Sequence, residues 1–399
     1  MKKKCVGLII DINNLRHYLH SNELLMKKIS DNLKEFFVIN ISNLRLKIFD
    51  NSFLSWDTKS YHEKKINEVL KNLPKNFTLV NPINIKELKI FLEDKEFLLI
   101  NSIGKTFPEF NIHFCLSSKN ISQIIVSNIA NNETDFQSSS SLSKIKIFFG
   151  KKLPSKIISF LMLIRILKKF EIRFESNRKM INFFSQRKII TQIYKKIIPI
   201  NNRSFDNFKL SNLKITENLI VLIDGNFNHK EDIATRGYVD EKLLEEHYKK
   251  LNKLLFKIQK LYKKKVVVCI HPQYDLAETK KRFPSFDTVK FHTKENIYEA
   301  FMVLFFDSTS IMDAFLLKKN IISLKTKIDW LTDTERYSKE YGTTLIDLDS
   351  EFDFSREELD KKLEKSKQFY DKFLKDYIIV DGDRIGIEKV INYCQEFVN

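Results

Sequence analysis

Three short polar segments, each closing an apolar run, carry the residue types best suited to chemistry: Asp224-Gly225, His271-Pro272 and Ser308-Thr309-Ser310, with Asp313 just beyond. A carboxylate such as Asp224 can serve as general base or nucleophile, and Gly225 beside it permits close approach of a substrate. His271 can donate to a phosphate oxygen and, once protonated, neutralise charge on a leaving nucleotide, while Pro272 fixes the turn. The hydroxyls of Ser308, Thr309 and Ser310, with free N–H groups at the start of a helix near Ile311, make an anion site suited to phosphate. Asp313, one turn into that helix, is within reach of a ribose hydroxyl. Each has a plainer reading. Asp-Gly is a common turn pair, His271 a structural histidine, Ser-Thr-Ser an ordinary N-cap, and Asp313 a solvated first-turn carboxylate.

The elements around these residues decide between the readings. Leu219–Ile223 is an apolar strand ending at Asp224, and a helical segment, Glu241–Tyr262, leads to the strand Val266–Ile270, which ends at His271. A third run, Phe301–Phe306, ends in Asp307-Ser308-Thr309-Ser310. Strands alternating with helices predict a parallel sheet, whose carboxyl edge is where ligands bind in open α/β domains. The sequence lacks a Gly-x-Gly-x-x-Gly loop, a Walker loop and a His-Glu-x-x-His helix. Two Asp-x-Asp pairs, Asp347-Leu348-Asp349 and Asp381-Gly382-Asp383, lie outside the mid-domain position a metal clamp needs. Metal-independent chemistry without a cofactor follows as the expectation, the nucleotide entering as part of the substrate. Asp11, after the first strand, is a weaker candidate facing the same cleft, and Asp381 and Asp383 shape the turn before the last helix.

The first half alternates strands and helices as well, with candidate strands at Val6–Ile10, Phe36–Ile39, Phe77–Val80, Phe97–Leu99, Asn111–Cys115, Ile124–Val126 and Ile145–Phe149. Ser138–Ser141 reads as a loop tip, and the polar stretch around Pro199–Asn212 as a linker. The layout expected is two doubly wound domains, 1–200 and 214–375, a linker at 201–213 and a closing helix within 376–399, with a cleft between the domains. Lys151–Phe174 has an apolar core, Ile157–Ile164, between basic ends. It suits either a membrane-surface element or a core helix with solvated lysines.

Composition fits a folded protein: 43% hydrophobic and 30% charged over 399 residues. The net charge of +17 invites a nucleic-acid partner, but Lys, Ile, Asn and Phe are all abundant while Gly (8) and Pro (7) are scarce, as in an AT-rich coding sequence. No nucleic-acid motif accompanies the charge, so nucleic acid is not expected as a partner, whereas an anionic membrane surface is compatible with it. Met1-Lys2-Lys3-Lys4 is followed by an apolar run that Asp11 interrupts, which does not read as a signal peptide, and four scattered cysteines read as reduced core residues. The expected location is the cytoplasm, with a peripheral place on the inner membrane face as its extension.

The run Asp224-Gly225-Asn226-Phe227, Glu246-His247-Tyr248-Lys249-Lys250-Leu251-Asn252, Val267–Pro272, Asp307–Ser310 and Asn320-Ile321-Ile322 resembles bacterial surface-carbohydrate glycosyltransferases of GT-B type. It is most similar to those that use CMP-activated acidic sugars, the sialyl-, polysialyl- and Kdo transferases. The resemblance covers the second half of the chain. It implies that His271, Pro272, Ser308 and Thr309 hold the CMP phosphate, and that the acceptor is a surface glycan or lipid-linked glycan. The acidic motif of that group is matched only at Asp224-Gly225, since Ile223 stands before it, and in sialyltransferases the motif lies in the other domain. The alternatives are a UDP-sugar transferase or CDP-polyol phosphotransferase on the same scaffold, or a non-catalytic glycan- or nucleic-acid-binding protein.

Overall fold

The computed structural model describes residues 2–11, 18–19, 22–44, 73–103, 109–127, 157, 161, 167–186, 193–225, 227, 239–270, 276–306, 308–328 and 334–399. His271, Pro272, Asp307, the serine run 138–141, the expected strand 145–149 and most of the basic-ended segment 151–174 lie outside them. The chain forms two compact units. The first takes in the described residues up to Asp206 together with Ile379–Asn399, and the second spans Asn207–Ile378.

In the first unit β1 (Lys3–Ile10), β2 (Phe36–Asn40), β3 (Phe77–Val80), β4 (Lys95–Asn101), β5 (Ser122–Ser127), β6 (Phe170–Glu175) and β7 (Tyr194–Pro199) form a parallel sheet in the order β3-β2-β1-β4-β5-β6-β7. Strands covered on both faces lose the apolar–polar alternation, and β1 shows why. Val6, Leu8 and Ile10 enter one core with Leu25, Met26 and Ile29, while Cys5 and Ile9 enter another with Leu88, Leu92 and Ile112. The closing helix Gly386–Val398 adds Ile387, Val390, Ile391 and Cys394 to the first of these cores.

Two expectations fail here for local reasons. Asn111–Cys115 is part of a helix, Phe110–Ser118, because Ile112, Cys115 and Leu116 are buried at helical spacing. That helix ends as Lys119 donates to the Cys115 carbonyl and Asn120 takes a left-handed φ of 54°. The chain at Phe170–Phe174, assigned to a basic-ended helical segment, is β6, whose interior charge is neutralised by Arg173–Glu175 at 2.6 Å. The divide between the two units, Asp206/Asn207, falls within the expected linker, which contains a helix, Arg203–Leu210, that buries Ser204, Phe205 and Asp206 and starts where the Asn202 side chain accepts from the Ser204 N–H at 2.9 Å.

The second unit repeats the design. Strands β8 (Leu219–Ile223), β9 (Lys265–Ile270), β10 (Asp287–Lys290), β11 (Ala300–Phe305), β12 (Asn320–Lys325) and β13 (Thr344–Asp347) run parallel in the order β10-β9-β8-β11-β12-β13. In both sheets the order reverses beside the first strand, which opens a crevice at the carboxyl ends of β1/β4 and of β8/β11. The helix Glu241–Tyr262 covers one face of the second sheet. It buries Leu244, His247, Tyr248, Leu251, Leu254, Leu255, Ile258 and Tyr262, a 3–4 spacing whose aliphatic members contribute roughly 1.5–3 kcal/mol each.

Asp240 caps that helix by accepting from Lys242 and Leu243, and Lys263 ends it in the left-handed region, φ 52° and ψ 37°. A side chain there costs about 1–2 kcal/mol, which glycine avoids at some entropic expense. Lys263→Gly is therefore expected to raise stability by about 0.5–1 kcal/mol, measured by urea denaturation; an unchanged or lower midpoint would contradict it. Among the described residues no helix is long and apolar enough to cross a membrane, and the four cysteines are buried and free.

Candidate functional site

The two strands that flank the crevice of the second sheet are β8 and β11, paired with Ile223 opposite Phe305. The next residues, Asp224-Gly225 and Phe306 followed by Ser308–Ser310, are thus delivered side by side at the carboxyl edge. Parallel pairing in this register brings the predicted carboxylate and the predicted hydroxyl cluster together. The third segment, His271-Pro272, begins one residue after β9, beyond the described chain.

Asp224 is 5% exposed. Its N–H continues the ladder by donating to the Cys269 carbonyl at 3.0 Å, and its Oδ2 accepts from the Tyr248 hydroxyl at 3.4 Å. Its Oδ1 is buried without a hydrogen-bond partner among the described residues. Burial pushes this carboxyl up to about 7, against the Arg282 guanidinium, the Gly225 N–H and the Tyr248 hydroxyl, which all favour the anion. A carboxyl poised near neutrality with one unsatisfied oxygen suits proton transfer. Gly225 is fixed by crowding, since a Cβ there would come within 2.4 Å of the Phe227 ring.

Sequence reasoning gave no role to the side chains under this edge. His247 packs its ring against Phe227, Tyr248 and Phe306, at 4.9, 5.1 and 5.3 Å between centroids. Its Nδ1 lies 3.3 Å from Thr326 Oγ1, its Nε2 has no partner among the described residues, and burial pulls it down to about 3. It is therefore a neutral imidazole and cannot supply positive charge to a phosphate. Arg282 donates to the Tyr248 hydroxyl at 3.3 Å with its guanidinium 4.9 Å from the centre of that ring. Tyr248 sits on a buried helical stripe and reads as core, and Arg282 closes a Lys280-Lys281-Arg282 run that reads as a solvated helix end. Neither carries a signal that separates it from those ordinary roles.

The hydroxyl segment is present but differs from the expected helix-end anion site. The helix it precedes, Ile311–Leu316, is a single short element, and Ile311, Met312 and Asp313 donate back to the carbonyls of Ser308, Thr309 and Ser310. Ser308 Oγ accepts from the Ser310 N–H at 3.2 Å. The first-turn amides are thus engaged, leaving the hydroxyls to meet an anion; Ser308 and Ser310 are half-buried and Thr309 exposed. Asp313 is buried, which corrects the reading of a solvated first-turn carboxylate. Its charge helps raise the Tyr298 hydroxyl, pushed up to about 12 chiefly by burial, and it has no part in the transfer step proposed below.

At the corresponding edge of the first sheet Asp11 is buried, with its Oδ1 accepting from the Ser42 hydroxyl at 2.8 Å. Asp381 lies in the turn before the closing helix, its N–H donating to Asn201 Oδ1 at 2.9 Å and its carboxylate 2.6 Å from Lys389. Asp349 of the first Asp-x-Asp pair is engaged by Lys250 at 2.6 Å. Among the described residues no group of three or more His, Cys, Asp or Glu side chains is arranged to hold a metal ion.

No family model and no characterised protein matches the chain by sequence. Solved structures do match by fold. A variant of the wall teichoic acid polymerase TagF superposes with a TM-score of 0.56 at 11% identity, covering 99% of this chain and 89% of that one. The same polymerase soaked with CDPG gives 0.51 at 11% identity over 99% and 88%. The UDP-GlcNAc 2-epimerase from Methanocaldococcus jannaschii gives 0.50 at 13% identity over 99% of both chains. At these identities the likeness establishes the fold. Two Rossmann-like domains with parallel sheets and a C-terminal closing helix constitute a GT-B architecture.

Proposed function

We propose that this chain is a glycosyltransferase that moves a sugar from a nucleotide-activated donor, a CMP-linked acidic sugar, onto a surface-glycan acceptor. The observation that carries this reading is the pairing of β8 with β11, which delivers a buried carboxylate with an orphaned oxygen and a partly exposed hydroxyl segment to one topological switch point. Proteins of the same fold are named as acting on or soaked with UDP- and CDP-linked compounds, which agrees with a nucleotide at such an edge.

In the proposed step an acceptor hydroxyl oxygen attacks the anomeric carbon and its proton passes to Asp224 Oδ1. The bond from that carbon to the phosphate oxygen breaks, with its electron pair leaving on CMP. The hydroxyls of Ser308, Thr309 and Ser310, with His271 and Pro272, hold the leaving phosphate, while Gly225, whose missing side chain makes room for the Phe227 ring, has a packing role in place of the one expected toward the sugar.

Titration calorimetry with CMP, CDP and UDP tests the donor. CMP is expected to bind at least tenfold more tightly than UDP, a difference of about 1.4 kcal/mol. Binding of UDP without CMP would replace the donor, tight CDP binding would favour the polyol phosphotransferase, and binding of none would remove the reading.

A further inference from the structure

Two side chains outside the strand ends converge on Asp224. Tyr248 comes from the helix Glu241–Tyr262 and Arg282 from the helix Leu276–Arg282. Asn252 locks the two helices together where these residues sit, its Nδ2 donating to the Tyr248 carbonyl at 2.7 Å and the Arg282 carbonyl at 2.8 Å. The Phe283 ring meets Tyr248 edge-on at 5.3 Å, which fixes the phenol's orientation. The guanidinium stacks on the phenol and donates to its oxygen, and the phenol donates to Asp224 Oδ2.

We propose that Tyr248 and Arg282 are positioning residues for Asp224: the guanidinium orients the phenol, the phenol occupies Oδ2, and Oδ1 is left to receive the proton of the acceptor. This rests on the transferase reading above. An O–H···O separation of 3.4 Å is long, and such contacts tighten in the reacting complex. Among the described residues the groups that act on Asp224 are Tyr248 on one helix, Arg282 on another, and the Gly225 N–H of its own turn. Arg282 is the single charged group among them. A Tyr–Arg pair serving only as packing would hold the helices together without altering how Asp224 ionises, so the two roles separate experimentally.

The test uses the full chain with 13C-labelled aspartate, the Asp224 carboxyl signal being assigned by its loss in Asp224→Asn. In Tyr248→Phe the NMR titration midpoint of Asp224 is expected to rise by about one pH unit. The rising limb of the kcat profile should move with it while KM for the donor stays constant. Arg282→Gln should raise the midpoint too and Arg282→Lys should recover most of it, which covers the case in which Tyr248→Phe folds poorly. An unmoved midpoint in both Tyr248→Phe and Arg282→Gln overturns the proposal, as does a moved midpoint with a stationary kcat limb. Absence of turnover with every nucleotide sugar would sink the transferase reading instead. The carboxyl signal, read without turnover, would still show whether the pair governs Asp224.

Discussion

Asp224→Asn is expected to lower the rate of sugar transfer by about 10²–10⁴-fold while leaving nucleotide affinity at the wild-type level. Asparagine keeps the shape of the side chain, and its amide oxygen can still accept from the Tyr248 hydroxyl. It cannot take up a proton. In the wild type, burial pushes the Asp224 carboxyl up to about 7, so the anion that serves as base is only partly populated below neutrality. The rate should therefore climb with pH and level off above about 7. A variant that keeps the wild-type rate, or a wild-type profile flat between pH 5 and 8, would remove Asp224 from the step.

Stability should move in the opposite direction. Because the folded pKa lies above the ordinary carboxylate value, the fold prefers the protonated acid, and the stability it contributes is complete below pH 4. It is lost as pH rises toward 7, by an amount on the order of a few kcal/mol. Asp224→Asn abolishes this dependence, so its stability relative to wild type should grow from pH 4 to pH 7. The rate loss and the stability gain then come from one residue, the pattern expected where a fold tolerates a poorly solvated group for the sake of reactivity.

Most of the second unit was legible because its strands are uninterrupted apolar runs bounded by polar residues. Leu219–Ile223 and Glu241–Tyr262 were placed residue for residue, since a buried parallel strand and a strongly amphipathic helix each leave a period in the sequence. Asp224 and Ser308–Ser310 follow β8 and β11, the strand-end places that the same signal gave them. What the sequence hid were contacts made by residues with ordinary local roles. Tyr248 belongs to a core stripe and Arg282 to a basic helix end, and only the packing of two helices through Asn252 turns them toward Asp224. Asn111–Cys115 was misread because five residues are too few to tell a strand from a helix turn. The helix within the expected linker was hidden because Asn201 and Asp206 are typical loop residues by type, and their partners lie some 180 positions away.

Those distant partners make Asp206→Ala the substitution with the largest expected effect on folding. The buried Asp206 carboxylate accepts from the Gly386 N–H at 2.8 Å and the Ile387 N–H at 2.9 Å, the first amides of the closing helix. Burial pushes Asp206 up to about 6, opposed by those two hydrogen bonds. Asn201 clamps the turn before it, donating to the Gly382 and Arg384 carbonyls and accepting from the Val380 and Asp381 amides. Alanine at 206 leaves two buried N–H groups unsatisfied, each costing about 1–3 kcal/mol. A loss of about 3–5 kcal/mol is expected, with the closing helix becoming the first site of proteolysis because Ile387, Val390, Ile391 and Cys394 then withdraw from the first core. Asp206→Asn, which retains one acceptor oxygen, should fall between. Denaturant midpoints for Asp206→Ala within about 1 kcal/mol of wild type, or cleavage beginning elsewhere, would show that apolar packing alone seats the helix.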